Sequence, residues 1–129
     1  MKTQYARSAF STAALLVLLS SCTPKPEIKV PAEFEAGQNH FHKACASCHG
    51  VDALGKQTRA PGLIDSEYLP ENFSDEEMRK QIIEGSEKMR SQRNKVSDSE
   101  IEEIIKYLRY SQRAANLVVE EDGPDEEEE

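Results

Sequence analysis

The sequence predicts an all-α domain. Two capping boxes each open a run of apolar residues at helical spacing, no segment alternates apolar and polar side chains convincingly as a strand would, and Gly and Pro punctuate what lies between. The first helix is expected to start near Pro31, because a ring-locked φ suits the first turn. It would run through Glu33, Glu35 and Gly37 to the cysteine pair at Cys45 and Cys48. Gly37 and Phe41 are four residues apart and share one face, where the glycine would let a second helix approach closely.

From Gly50 to Ile64 the stretch GVDALGKQTRAPGLI reads as loop. Ser74-Asp75-Glu76-Glu77 then opens a second helix with Met78, Ile82 and Ile83 on its apolar face, and Gly85 stops it. A polar loop from Gly85 to Val96 carries Met89. Ser97-Asp98-Ser99-Glu100 opens the strongest helix, with Ile101, Ile104, Ile105 and Leu108 at i, i+3, i+4 and i+7. Its acids lie early and Arg109 and Arg113 lie late, as the helix dipole prefers.

The two ends differ from this middle. Residues 1–21 have Lys2 and Arg7 ahead of the short apolar run Ala13-Ala14-Leu15-Leu16-Val17-Leu18-Leu19, which is the layout of a secretory signal and too short for a membrane span. Leu19-Ser20-Ser21-Cys22 resembles the lipobox of bacterial lipoproteins. That resemblance implies cleavage before Cys22, lipidation of its thiol, and a protein anchored to a bacterial membrane facing the periplasm or cell exterior. Thr23 in place of the inner-membrane retention aspartate implies the outer membrane in a Gram-negative host. Residues 22–31, with three prolines in TPKPEIKVP, read as an extended stalk. Residues 32–117 form the single domain.

Residues 118–129 form an acidic tail. Eight of the chain's 24 acidic residues fall between Glu120 and Glu129, so the net charge of −8 belongs to the tail more than to the folded surface. A like-charge run of this kind is disordered by default. The sign of the charge argues against nucleic-acid binding.

Cys45-Ala46-Ser47-Cys48-His49 carries the chemistry. C-x-x-C-H is the attachment signature of a c-type haem: two thiols one turn apart can each bond a vinyl group of one porphyrin, and the next residue offers an imidazole to the iron. Export suits this, because both thiols must meet haem outside the reducing cytosol. The alternatives are a structural disulfide, a redox dithiol, or a zinc site on a non-haem lipoprotein. A thioredoxin-like dithiol would need a preceding strand. Zinc would need further ligands beyond His40, His42 and Cys22 at spacings the chain lacks.

In this order the pieces resemble a small class I cytochrome c of the bacterial monohaem type, over about Glu35 to Arg109. The resemblance implies the small cytochrome c fold, with N- and C-terminal helices crossing around one covalent haem c. Gly37 and Phe41 would meet Ile104 and Tyr107 at that crossing. Cys45 and Cys48 would be the thioether residues, His49 the proximal iron ligand, Pro61 the residue whose carbonyl orients it, and Met89 the second axial ligand. Arg90 follows Met89 where the family usually has proline, which leaves His40 and His42 as the other ligand candidates. Ordinarily those two histidines would lie on a solvated helix face.

With both axial positions filled, the expected function is one-electron transfer between redox protein partners, such as an oxidase, reductase or dehydrogenase subunit. No enzyme activity and no small-molecule substrate are expected. Lys88, Arg90, Arg93 and Lys95 would steer an acidic partner. If Met89 does not bind, the alternative is a five-coordinate haem protein that binds a gas or acts as a peroxidase.

Overall fold

The computed structural model describes residues 24–117 apart from Gln57. The proposed signal, Cys22 and the acidic tail lie outside the described residues. Among those described there are four α-helices, two short 3-10 turns and no strand: α1 Ala32–Ala44, α2 Ala46–His49, α3 Asp75–Glu84 and α4 Asp98–Ala114. The 3-10 turns are Val51–Ala53 and Ser66–Tyr68. No helix among the described residues is long and apolar enough to cross a membrane.

Local sequence sets the helix ends. Ser74 and Ser97 each accept a backbone N–H from the glutamate three residues on, and that glutamate's side chain accepts the serine's own N–H. The first helix is interrupted at Cys45, with φ widened to −118° at ψ −35°, before α2 resumes. The expected single helix is therefore two helices, with the break at the motif itself. Gly85 closes α3 at φ 77°, a conformation that suits glycine.

α1 and α4 form the principal interface, and the contacts set their direction. Phe34 stacks on Tyr110 with ring centroids 4.3 Å apart, Gly37 faces Glu103 and Tyr107, and His40 Nδ1 lies 3.2 Å from Glu100. As numbering rises along α1 it falls along α4, so the two cross in an antiparallel sense. Gly37 sits where no side chain fits: a Cβ there would lie 2.0 Å from the Glu103 carbonyl oxygen. Phe41, Ile101, Ile104, Tyr107 and Leu108 are all but inaccessible to water. Burying each stabilises the fold by about 1.5–3 kcal/mol before chain entropy is counted.

Between α2 and α4 the chain is held by polar contacts. Arg109, buried inside α4, donates to the carbonyls of Tyr68 and Phe73 at 2.6 Å each and to the Asp75 carboxylate at 2.7 Å. Gln112 donates to the carbonyls of Leu63 and Tyr68 at 2.9 Å. The loop from Leu63 to Phe73, which has little regular structure, is thus pinned to the last helix.

Candidate haem site

Cys45, Cys48 and His49 are brought together by one turn of backbone. The N–H groups of Cys48 and His49 both bond the Cys45 carbonyl at 3.0 Å. No disulfide joins the two thiols: Cys45 is buried and Cys48 is exposed. Burial pushes the Cys45 thiol up to about 12, with Lys95 pulling it partly back and Cys48 adding to the rise. Among the described residues no three His, Cys, Asp or Glu side chains gather as a metal site.

The His49 ring is fixed from behind. Its Nδ1 lies 2.9 Å from the Pro61 carbonyl oxygen, to which it can donate. This sets the tautomer and leaves Nε2 as the lone pair able to bind a metal. Several backbone contacts hold Pro61 in reach. The Ala60 N–H bonds the Cys48 carbonyl at 3.2 Å, the Gly55 N–H bonds the His49 carbonyl at 2.7 Å, and the Leu63 N–H bonds the Ala53 carbonyl at 2.7 Å. Gly55 lies so close to Gly62 that a Cβ on it would meet the Gly62 nitrogen at 2.1 Å. Asp52 and Ala53 take left-handed φ values of 52° and 61° to make the turn, conformations uncommon outside glycine.

Met89 sits on a tight loop after α3. The Ser86 N–H bonds the Met89 carbonyl at 2.7 Å, and the Ser86 hydroxyl accepts the Met89 N–H at 3.2 Å. The thioether sulfur is 3.8 Å from Gln81 Nε2, a weak contact. Leu63, Ile64, Phe73, Ile83 and Met89 are half-buried apolar side chains against the core that also contains Cys45. Two thiols and one oriented imidazole on adjacent turns, beside a core against which Met89 also packs, suit a covalent porphyrin.

The two remaining histidines depart from expectation. His42 is not on a solvated face but is buried. Its Nδ1 lies 2.7 Å from the Gln38 carbonyl, and its Nε2 accepts the Asp52 N–H at 3.1 Å. Both ring nitrogens are therefore engaged within the protein. α1 turns His42 inward because the left-handed turn after the motif brings a backbone donor to it. His40 is half-buried beside Glu100. In the basic cluster, Arg93 is ion-paired with Asp98, whereas Lys88, Arg90 and Lys95 are exposed, and Lys95 lies near enough to Cys45 to act on it.

One cluster was missed by sequence reasoning. Asp52 is buried, and its Oδ2 accepts the N–H groups of Glu27 and Ile28 at 2.9 and 2.8 Å. Gln38 Nε2 reaches the Ile28 carbonyl at 2.7 Å and Asp52 Oδ1 at 3.3 Å. A carboxylate inside a Gly-rich loop gives no periodic signal, so nothing in the pattern points to it.

An all-α fold with crossing terminal helices and this motif turn defines a small monohaem c-type cytochrome, with covalent haem c as its cofactor. Residues 32–108 match the family described as cytochrome c oxidase, cbb3-type, subunit III, and the chain belongs to that family of cytochrome c domains. Solved structures agree. Cytochrome CL from the marine methylotrophic bacterium Methylophaga aminisulfidivorans is 34% identical, with a TM-score of 0.52 over 60% of this chain and 52% of that one. The c-type cytochrome XoxG from Methylobacterium extorquens AM1 is 26% identical, with a TM-score of 0.53 over 63% of this chain and 51% of its own. This chain thus spans about half of each of those two proteins. Cytochrome c6 from the diatom Phaeodactylum tricornutum is 26% identical, with a TM-score of 0.50 over 63% of this chain and 95% of that one. A search of curated proteins finds no match.

Proposed function

We propose that the protein is a membrane-anchored one-electron carrier that passes electrons between redox proteins outside the cytoplasm. The observation that carries this reading is His49, one residue after Cys48, with Nδ1 held 2.9 Å from the Pro61 carbonyl and Nε2 left for iron. Haem c, when bound, supplies a ferric/ferrous couple. Cys45 and Cys48 would fasten it, His49 and Met89 would ligate its iron, and Pro61 would fix the His49 ring.

The chain's own task is to hold these groups still. The backbone bonds from Ala60 to Cys48 and from Gly55 to His49 keep the proximal side rigid, and the Ser86–Met89 bonds keep the other loop closed. A thioether ligand raises the reduction potential above that of a second histidine. Lys88, Arg90 and Lys95 would favour encounter with an acidic partner, more so at low ionic strength. Cys22 is the proposed lipidated residue, which would place the domain at a membrane surface. With His49 and Met89 both holding the iron, no site would be left for a substrate, so no enzyme activity and no small-molecule substrate are proposed.

The test is spectroscopic. Purified protein should retain haem after denaturing electrophoresis and show the weak red sulfur-to-iron charge-transfer band when oxidised. Met89→Ala should abolish that band and lower the potential. A wild-type spectrum that is already high-spin, without that band, would refute the carrier reading in favour of an open, gas-binding or peroxidase-like site. Colourless protein with both thiols open to alkylation would refute the haem.

A further inference from the structure

Segment 24–31 has no helix or strand, yet it does not stand clear of the domain. Val30 is buried in the core, and the Glu27 and Ile28 N–H groups are held by the Asp52 carboxylate. The segment is a strap laid along the loop that follows the haem motif. Among the described residues, Ile28 and Leu54 are the large hydrophobic side chains left exposed, at 51% and 40%. They belong to one surface, because both line each of two open clefts flanking the strap, of about 440 and 300 Å³. Lys56 lines the first cleft and Lys29 the second, and Lys25 is exposed on the strap between Pro24 and Glu27. Two carboxylates line the same clefts: Glu27, which is exposed, and Asp52, which is buried and holds the strap's N–H groups.

We propose that this face rests on an anionic lipid surface. Ile28 and Leu54 enter the boundary between headgroups and acyl chains, and Lys25, Lys29 and Lys56 contact headgroup phosphates. Two apolar side chains ringed by lysine suit a membrane surface, where apolar burial and attraction to anionic lipid add. Lysine is depleted from protein–protein interfaces, which argues against a protein partner on this face. Placement rests on the anchor proposed at Cys22. That residue is five positions before the pinned Glu27, so a fully extended chain puts it at most about 17 Å away. The domain is then held against the bilayer by its strap, with Asp52 fixing the attitude of the haem loop to the membrane.

The experiment uses holoprotein beginning at Cys22, joined through that thiol to a maleimide lipid in vesicles of phosphatidylglycerol and phosphatidylethanolamine. This keeps the test independent of natural lipidation. Acetylation of each lysine is followed by mass spectrometry, on vesicles and in solution. Lys56 decides the matter, because it is not on the strap and a tether alone does not shield it. Its rate should fall about threefold or more on vesicles, while Lys88 and Lys106 keep theirs. Ile28→Ser with Leu54→Ser, both at exposed positions, should restore the Lys56 rate. Equal Lys56 reactivity on vesicles and in solution, or protection that survives the double substitution, overturns the proposal. The mass of the native N-terminal peptide tests the anchor separately: an unacylated Cys22 refutes the lipoprotein reading and leaves the lysine rates to judge the face.

Discussion

Tyr107 shows how one side chain can tie stability to pH. It is buried against Phe41, with ring centroids 5.7 Å apart. Burial first, and then the charge of Asp52, push its hydroxyl from about 10 up to about 12. Between those values the unfolded chain releases a proton that the folded chain keeps. The stabilisation is therefore complete below pH 10 and lost as pH rises toward 12. Urea unfolding should show stability falling across that window, and Tyr107→Phe should flatten the fall. An identical alkaline decline in the variant would assign the effect to another group. Arg109 marks the limit of reading residues singly. Its late position in α4 agrees with the helix dipole, but its buried contacts to Tyr68, Phe73 and Asp75 lie 34 to 41 residues away in sequence and leave no local trace. His42 is the same case: its partner is a backbone N–H of a left-handed turn ten residues on, which helical periodicity does not encode.

Helix starts were legible because their signals are local. Both capping boxes appear where Ser-x-x-Glu predicts them, since donor and acceptor lie within one turn. Ser97→Ala should lower stability by about 1 kcal/mol and fray the first turn of α4, seen as faster amide exchange there. An unchanged midpoint would show that α4 is held by packing alone. The pairing of α1 with α4 followed from the family resemblance, and the glycine at their crossing gives it a sharp test. Gly37→Ala places a methyl group on the Glu103 carbonyl and should cost about 3 kcal/mol, read as a lower denaturant midpoint with an unchanged slope. A loss well under 1 kcal/mol would mean the two helices separate easily. The break at Cys45 and the two 3-10 turns were not legible. They answer to the geometry of the chain around the motif, and no propensity marks them.

Across the molecule, two polar devices hold irregular segments against the helices. Arg109 and Gln112 hold the loop from Leu63 to Phe73 on one side, and Asp52 with Gln38 holds the strap on the other. Arg109→Met keeps most of the volume but leaves the Tyr68 carbonyl with one donor fewer and the Phe73 carbonyl without this one. It should cost about 2–3 kcal/mol and raise amide exchange across residues 63–75 while α1 keeps its protection. Uniform loss of protection would show instead that the loop and the helices open as one unit.

The bonds at Asp52 also set a path for mechanical load. Tension applied to the chain ahead of Pro24 meets two N–H bonds to a single carboxylate before it reaches the first turn of α1. That carboxylate belongs to the left-handed turn three residues past His49, so a tug on the leading end is felt beside the His49 ring before it reaches α1.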